Sequence, residues 1–235
     1  MDGPPRILAF DTSSRCFVCG VVEGQRVAAH ESGASPTAPS EGLLPMIHRC
    51  LDGTGLGLAD IDVVVPGRGP GSFTGTRIAL STAKGIALGS GLPVVAVSSL
   101  EAAAVDAGRQ GPVLVALDAR KGEILLAAYA WSRSTGLRTL LEPGLVVPGD
   151  VPGAISHLGE QVPVPVRGDA PAAYPDAFPR DRCAPEPDGS PLVSSPLSLA
   201  RLAAERIERR AWDDPDDLEP LYSRPPPVHD PGRHD

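Results

Sequence analysis

Residues Gly67–Gly89 read GRGPGSFTGTRIALSTAKGIALG, a glycine-dense turn running into an amphipathic helix. That is the outline of a phosphate-binding loop, and its spacing decides what kind. A Walker loop places four residues between its glycines and follows them with Lys-Ser/Thr. Here five residues separate Gly69 from Gly75, and Thr76-Arg77 follow. The dinucleotide fingerprint G-x-G-x-x-G also fails, because GPGSFTG sets its last glycine one residue too far. Two physical features remain. Gly69, Gly71 and Gly75 permit close backbone approach, and a helix N-terminus after them offers N–H groups to an anion. The same features suit a tight turn that aims a helix at a sheet.

The 235 residues suffice for one large core or two modest ones. Net charge is −8 without a basic run, which argues against independent nucleic-acid binding. No apolar run approaches the ~20 residues of a membrane span, and MDGPPR leads directly into a strand-like segment without a secretory core. The expected location is the cytoplasm. Cys16 and Cys19 form a C-x-x-C, but within an alternating strand pattern where residues three apart face opposite sides. With Cys50 and Cys183 lone in the sequence, all four cysteines read as small core hydrophobes.

The chain divides into two similar halves. The first opens with the strand RILAFDTSS, in which Asp11 follows the apolar run, then RCFVCGVVEG and QRVAAHES joined at Glu23-Gly24. A helix follows in SEGLLPMIHRCL, with Leu43, Ile47 and Leu51 on one stripe, Leu44 beside it and Pro45 inside. IDVVV, the Thr76–Gly89 helix, PVVAVS and a short SLEAAAVDAG helix complete a βββαβαβ order with an added helix. The second half repeats the opening in PVLVALDAR, ending at Asp118, then GEILLAAYAW and LRTLLEPGLVV. Residues 170–195 read as a Pro-rich loop. Ser195-Pro196 then supply an N-cap and first helical residue for LSLARLAAERIERRAW. The acidic DDPDDLE, residues 213–219, reads as a solvated turn. The expected division is a lobe over 1–105, a second over 106–224 and a disordered tail over 225–235.

A duplicated βββαβαβ unit resembles the actin/Hsp70/sugar-kinase (ribonuclease H-like) architecture, an α/β fold with a carboxylate after each half's first strand. A narrower resemblance rests on ILAFDTSS, SEGLLPMI, GPGSFTGTRIALSTAKGIALG, LPVVAVSSLEA, LDARKGEI and PLYSR. In that order they resemble the TsaB family, the bacterial partner of TsaD in making threonylcarbamoyladenosine on tRNA. Thr76, Pro39 and Ser223 depart from the usual pattern, and none falls on a catalytic group.

TsaD is similar along the same loop and helix but continues as N-H-L-E-G-H, whose two histidines bind its metal. The aligned run here is Ser98-Ser99-Leu100-Glu101-Ala102-Ala103, so Ser99 and Ala103 take the ligand positions and supply no imidazole. The resemblance therefore implies a catalytically silent subunit without catalytic residues, metal or cofactor, keeping Gly69, Gly71 and Gly75 as a vestigial phosphate loop. It also implies a heterodimer with TsaD, a homodimer when alone, contact with TsaE through the complex, and only indirect contact with tRNA. The implied docking helices carry Leu43, Leu44 and Ile47 on one and Ile78, Ala79, Thr82, Ala83 and Ile86 on the other. Two alternatives stand beside this reading. An ATP-dependent phosphotransferase would use Asp11 and Asp118 across a cleft, and a metallopeptidase would need ligands that Ser99 and Ala103 do not provide.

Overall fold

The computed structural model describes residues 3–34, 39–108, 111–132, 134–158, 163–186 and 194–223. The expected disordered tail, 225–235, lies outside the described residues. The first sheet is built on β1 (Arg6–Asp11), whose residues after Arg6 are all buried. Such a continuous apolar run suits a strand covered on both faces. Antiparallel β2 (Cys16–Glu23) and β3 (Arg26–Ala34) lie to one side, and parallel β4 (Val63–Pro66) to the other, in the order β3-β2-β1-β4. The expected PVVAVS strand runs beside β4 as isolated parallel bridges at Val94 and Val97. Val95 and Val97 donate to the carbonyls of Val64 and Pro66 at 3.0 and 3.1 Å.

The second sheet repeats this plan. β5 (Gly111–Asp118) pairs antiparallel with β6 (Ile124–Ser132), which pairs with β7 (Gly136–Val146). β8 (Val164–Arg167) and β9 (Cys183–Pro185) add in parallel, giving β7-β6-β5-β8-β9. Each half thus sets its first strand between its second strand and a parallel fourth one, the duplicated architecture expected. The Pro-rich loop holds more structure than its composition suggests, because it contains β9, buried at Cys183, and one helical turn at Ala170–Ala173.

Five layers result. On one face of the first sheet lie α1 (Pro39–Thr54) and α2 (Phe73–Ser90), packed on Leu8, Phe10, Val21 and Val64. On its other face, against Ile7, Ala9, Val63 and Val65, lie α3 (Ser99–Asp106) and α6 (Pro196–Glu208). The alternation along β1 assigns each neighbour to its own side. Helix α3 also covers the second sheet. Its Ala102 meets the first sheet, while Leu100, Ala103 and Ala104 meet Val113, Val115, Leu125 and Tyr129. Short helices α4 (Val151–Ala154) and α5 (Ala170–Ala173) cover the far side of the second sheet.

Two expectations need correction. The division at 105/106 does not hold for the C-terminal segment, because α6 packs on the first sheet and Leu218 is buried in the first lobe's outer core. Helix α6 is fastened to α3 by Asp106, which accepts from the N–H and Oγ of Ser195 and from Ser198 Oγ. The acidic turn is not wholly solvated. Asp213 accepts from Ala96 N at 2.7 Å and pairs with Arg206 at 2.7 Å, occupying the free edge of residues 94–97. Cys50, lone in the sequence, is buried in the core, where its thiol donates to the Cys19 carbonyl at 3.5 Å. Side-chain hydrogen bonding with the Cys50 thiol, then burial, raises the Cys19 pKa.

The two faces of α2 are unequal. Ala79 and Ala83 are fully buried in this chain's own core, as is Leu43 of α1, with Ile47 nearly so. An inward stripe cannot simultaneously be a docking stripe, so these four positions of the expected interface belong to the monomer. Ala83→Glu should lower unfolding free energy by about 3 kcal/mol or more, because an unpaired carboxylate would enter an apolar core. Gly85, by contrast, has open space where a Cβ would sit. Gly85→Glu should therefore change stability by less than about 1 kcal/mol. Urea denaturation followed by circular dichroism checks both substitutions on the same helix.

Candidate functional site

The Gly67–Gly75 loop leaves β4 and lies across the end of β1. Gly67 N donates to Phe10 O at 2.8 Å, and Ser72 N to Ser13 O at 2.6 Å. Thr12 Oγ1 donates to Gly75 O at 2.6 Å. A Cβ at Gly75 would run into the Thr12 carbonyl oxygen, one at Gly71 into that of Ser13, and one at Gly67 into the Asp11 carboxylate. These glycines permit the close approach of loop and strand. Gly69 differs, because it adopts positive φ and turns the chain toward α3. The N-terminus of α2 has its own acceptor, since Ser72 Oγ takes Gly75 N–H at 3.2 Å.

Ser99 and Ala103, the positions that the resemblance sets against metal ligands, make structural contacts. Ser99 is fully buried. Its Oγ accepts from Gly69 N at 3.0 Å, and its own N–H donates to Gly69 O at 2.8 Å. Ala103 is fully buried against the second sheet. Among the described residues no group of three His, Cys, Asp or Glu side chains could hold a metal ion.

Both first-strand carboxylates are also engaged. Asp11, 4% exposed, accepts from Ser13 N at 2.8 Å and Ser194 Oγ at 2.7 Å. Asp118 accepts from Arg120 N at 2.9 Å and Tyr174 Oη at 3.1 Å, and pairs with the Arg120 guanidinium at 3.2 Å. The two are therefore brought to equivalent ends of β1 and β5, each closed by local partners. The Ser194 contact, 183 residues away in sequence, was invisible to sequence reading. Thr12 and Ser13 stood in plain view within DTSS, but nothing in that run showed their carbonyls to be the loop's seat.

The family model for TsaD, tRNA N6-adenosine threonylcarbamoyltransferase, matches residues 28–147. The chain belongs to this family. Within it, the similarity is to TsaB. The tRNA threonylcarbamoyladenosine biosynthesis protein TsaB of Escherichia coli (strain K12) is 41% identical over 127 residues, 53% of this chain and 54% of that protein. TsaB of Bacillus subtilis (strain 168) is 32% identical over 127 residues, 53% of this chain and 55% of its own length. The chain thus spans about half the length of the curated relatives it matches. Along nearly the whole chain, the structure of YeaZ from Pseudomonas aeruginosa superposes with a TM-score of 0.78 at 26% identity, covering 93% of this chain and 99% of that one. The fold is the duplicated two-sheet α/β architecture that this chain shares with YeaZ. Among the described residues no helix is long and apolar enough to cross a membrane.

Two outcomes follow from the packed loop. Gly75→Ala should cost about 3 kcal/mol or more, because the new methyl meets a backbone carbonyl that cannot turn away; a thermal or urea melt reads this. ATP should bind with a Kd above about 1 mM, which is less than about 4 kcal/mol of affinity. Titration calorimetry in the presence of magnesium measures it.

Proposed function

We propose that this chain is a non-catalytic subunit that binds a TsaD-type transferase and activates it in threonylcarbamoyladenosine modification of tRNA. One observation carries the reading. The two positions aligned with the transferase's metal ligands are Ser99, spent on Gly69, and Ala103, spent on the second sheet. A chain of this family without that donor pair acts through a partner that has it.

The docking surface is the outer side of α1 and α2. Of the interface residues expected from the sequence, Leu44 is 59% exposed, while Ile78, Thr82 and Ile86 are half-buried. Phe73 and Leu88 extend this surface at the two ends of α2. Between them Ser81, Gly85 and Gly89 recur at every fourth residue and are exposed, so they share one side of the helix. Small residues there let a second helix axis approach closely. The same face supports self-association when the transferase is absent. Contact with TsaE through the assembled complex, and only indirect contact with tRNA, belong to the same proposal, as does a cytoplasmic location.

Gly85→Arg should leave the isolated chain folded and weaken binding to the TsaD-type partner at least a hundredfold, about 2.7 kcal/mol. The tRNA threonylcarbamoylation rate of the mixture should fall to that of the partner alone. Co-purification, calorimetry and a modification assay with and without this chain read the three quantities. Undiminished binding by the folded Gly85→Arg variant would move the interface off α2. Full modification by the partner without this chain would end the activator reading.

A further inference from the structure

Where the two lobes meet, a cavity of about 290 Å³ opens between elements distant in sequence. Its walls include Pro70, the first turn of α3 at Ser98 and Glu101, and Tyr129 of β6. Glu142 of β7 and Tyr222 also line it. Tyr129 is 1% exposed, yet among the described residues its hydroxyl has no hydrogen-bond partner. A phenol buried to that degree is usually paired. Its unused hydroxyl is held at a cavity wall. Glu101, half-buried, and Glu142, exposed, likewise make no hydrogen bond or ion pair among the described residues.

We propose that this cavity is a binding site for a small linear organic cation, an alkylguanidine or polyamine, received by Glu101, Glu142 and the Tyr129 hydroxyl. The two carboxylates supply the charge. Pro70, Pro143 and Leu125, with Tyr222, supply apolar walls for the alkyl stem. The same charges disfavour a phosphate-bearing nucleotide, although a cleft between lobes is where such a ligand would be sought. Glu101 has its pKa raised by burial and then by repulsion from Glu142, with Arg68 acting in the opposite direction. A bound cation offsets the repulsion and favours the ionised carboxylate, so occupation and ionisation of Glu101 are linked. The site does not depend on the proposed role in tRNA modification and is tested separately from it.

The test is calorimetric titration of the full chain with agmatine and with spermidine, beside the folded variants Glu101→Gln, Glu142→Gln and Tyr129→Phe. Glu208→Gln, on the exposed end of α6, is the control. The expected result is saturable one-to-one binding with Kd below about 1 mM, at least about tenfold weaker in Glu101→Gln and unchanged in Glu208→Gln. Affinity should fall as pH drops from about 8 to about 5, because Glu101 takes up a proton earlier than an ordinary glutamate. Should Tyr129→Phe fail to fold, Glu142→Gln, changed at an exposed side chain, tests the same pocket. Titration with N-acetyl-arginine methylamide separates the sources. Tighter binding of the capped arginine than of agmatine would assign the pocket to a partner's basic side chain and reject the free-cation proposal. No saturable binding up to about 20 mM, or equal weakening by Glu208→Gln, would also overturn it.

Discussion

The carbonyls of Thr12 and Ser13 meet the glycines at 75 and 71 with no room for a side chain on either. Much of the first lobe is positioned by that contact. It brings the loop after β4 across the end of β1, and hydrogen bonds from Thr12 Oγ1 and Ser72 N hold it there. Gly75 lies in the first turn of helix α2, so the helix's direction across the sheet follows from the loop's seat. The loop's other end reaches α3, where Ser99 exchanges two hydrogen bonds with Gly69. Strand, loop and both helices are thus connected through a few backbone contacts that tolerate no added carbon atom.

The same contacts define the surroundings of the loop and of the two first-strand carboxylates. A phosphate loop needs free N–H groups and space before them. Here Gly71 and Gly75 lie against the carbonyls of Ser13 and Thr12, and Ser72 takes up one of the N–H groups. The carboxylates of Asp11 and Asp118 accept from nearby hydroxyl and amide donors. Helix α3, fully buried along most of its length, fills the middle of the molecule and bears on both sheets. Serine and alanine suit that position because both are small and neither leaves a buried charge.

A helix lying on a sheet has one inward and one outward side, and α2 separates them by residue size. Alanines at 79, 83 and 87 face the core, while Ser81, Gly85 and Gly89 face solvent. Both stripes are small and both repeat every fourth residue. Sequence periodicity finds them equally well but does not say which is inward. The sequence reading took Ala79 and Ala83 for the docking side, and the packing on Leu8, Phe10 and Val64 assigns them to the core.

Local chemistry was legible from the residues alone. Apolar runs of the right length marked β1, β4 and β5, Ser195-Pro196 marked the start of α6, and the spacing of GPGSFTG ruled out the two nucleotide signatures. These depend on neighbours within a few residues, where backbone geometry and hydrophobic period dominate. The duplicated order of strands, and through it the fold, was legible for the same reason. Long-range closure was not. The return of α6 to the first sheet, Asp213 on the edge of residues 94–97, Ser194 on Asp11 and the meeting of Glu101, Tyr129 and Glu142 each join segments separated by tens of residues or more. No periodicity encodes such pairings. They arise when two sheets and the helix between them bury their apolar faces together, and the polar groups left nearby must then pair or line a cavity.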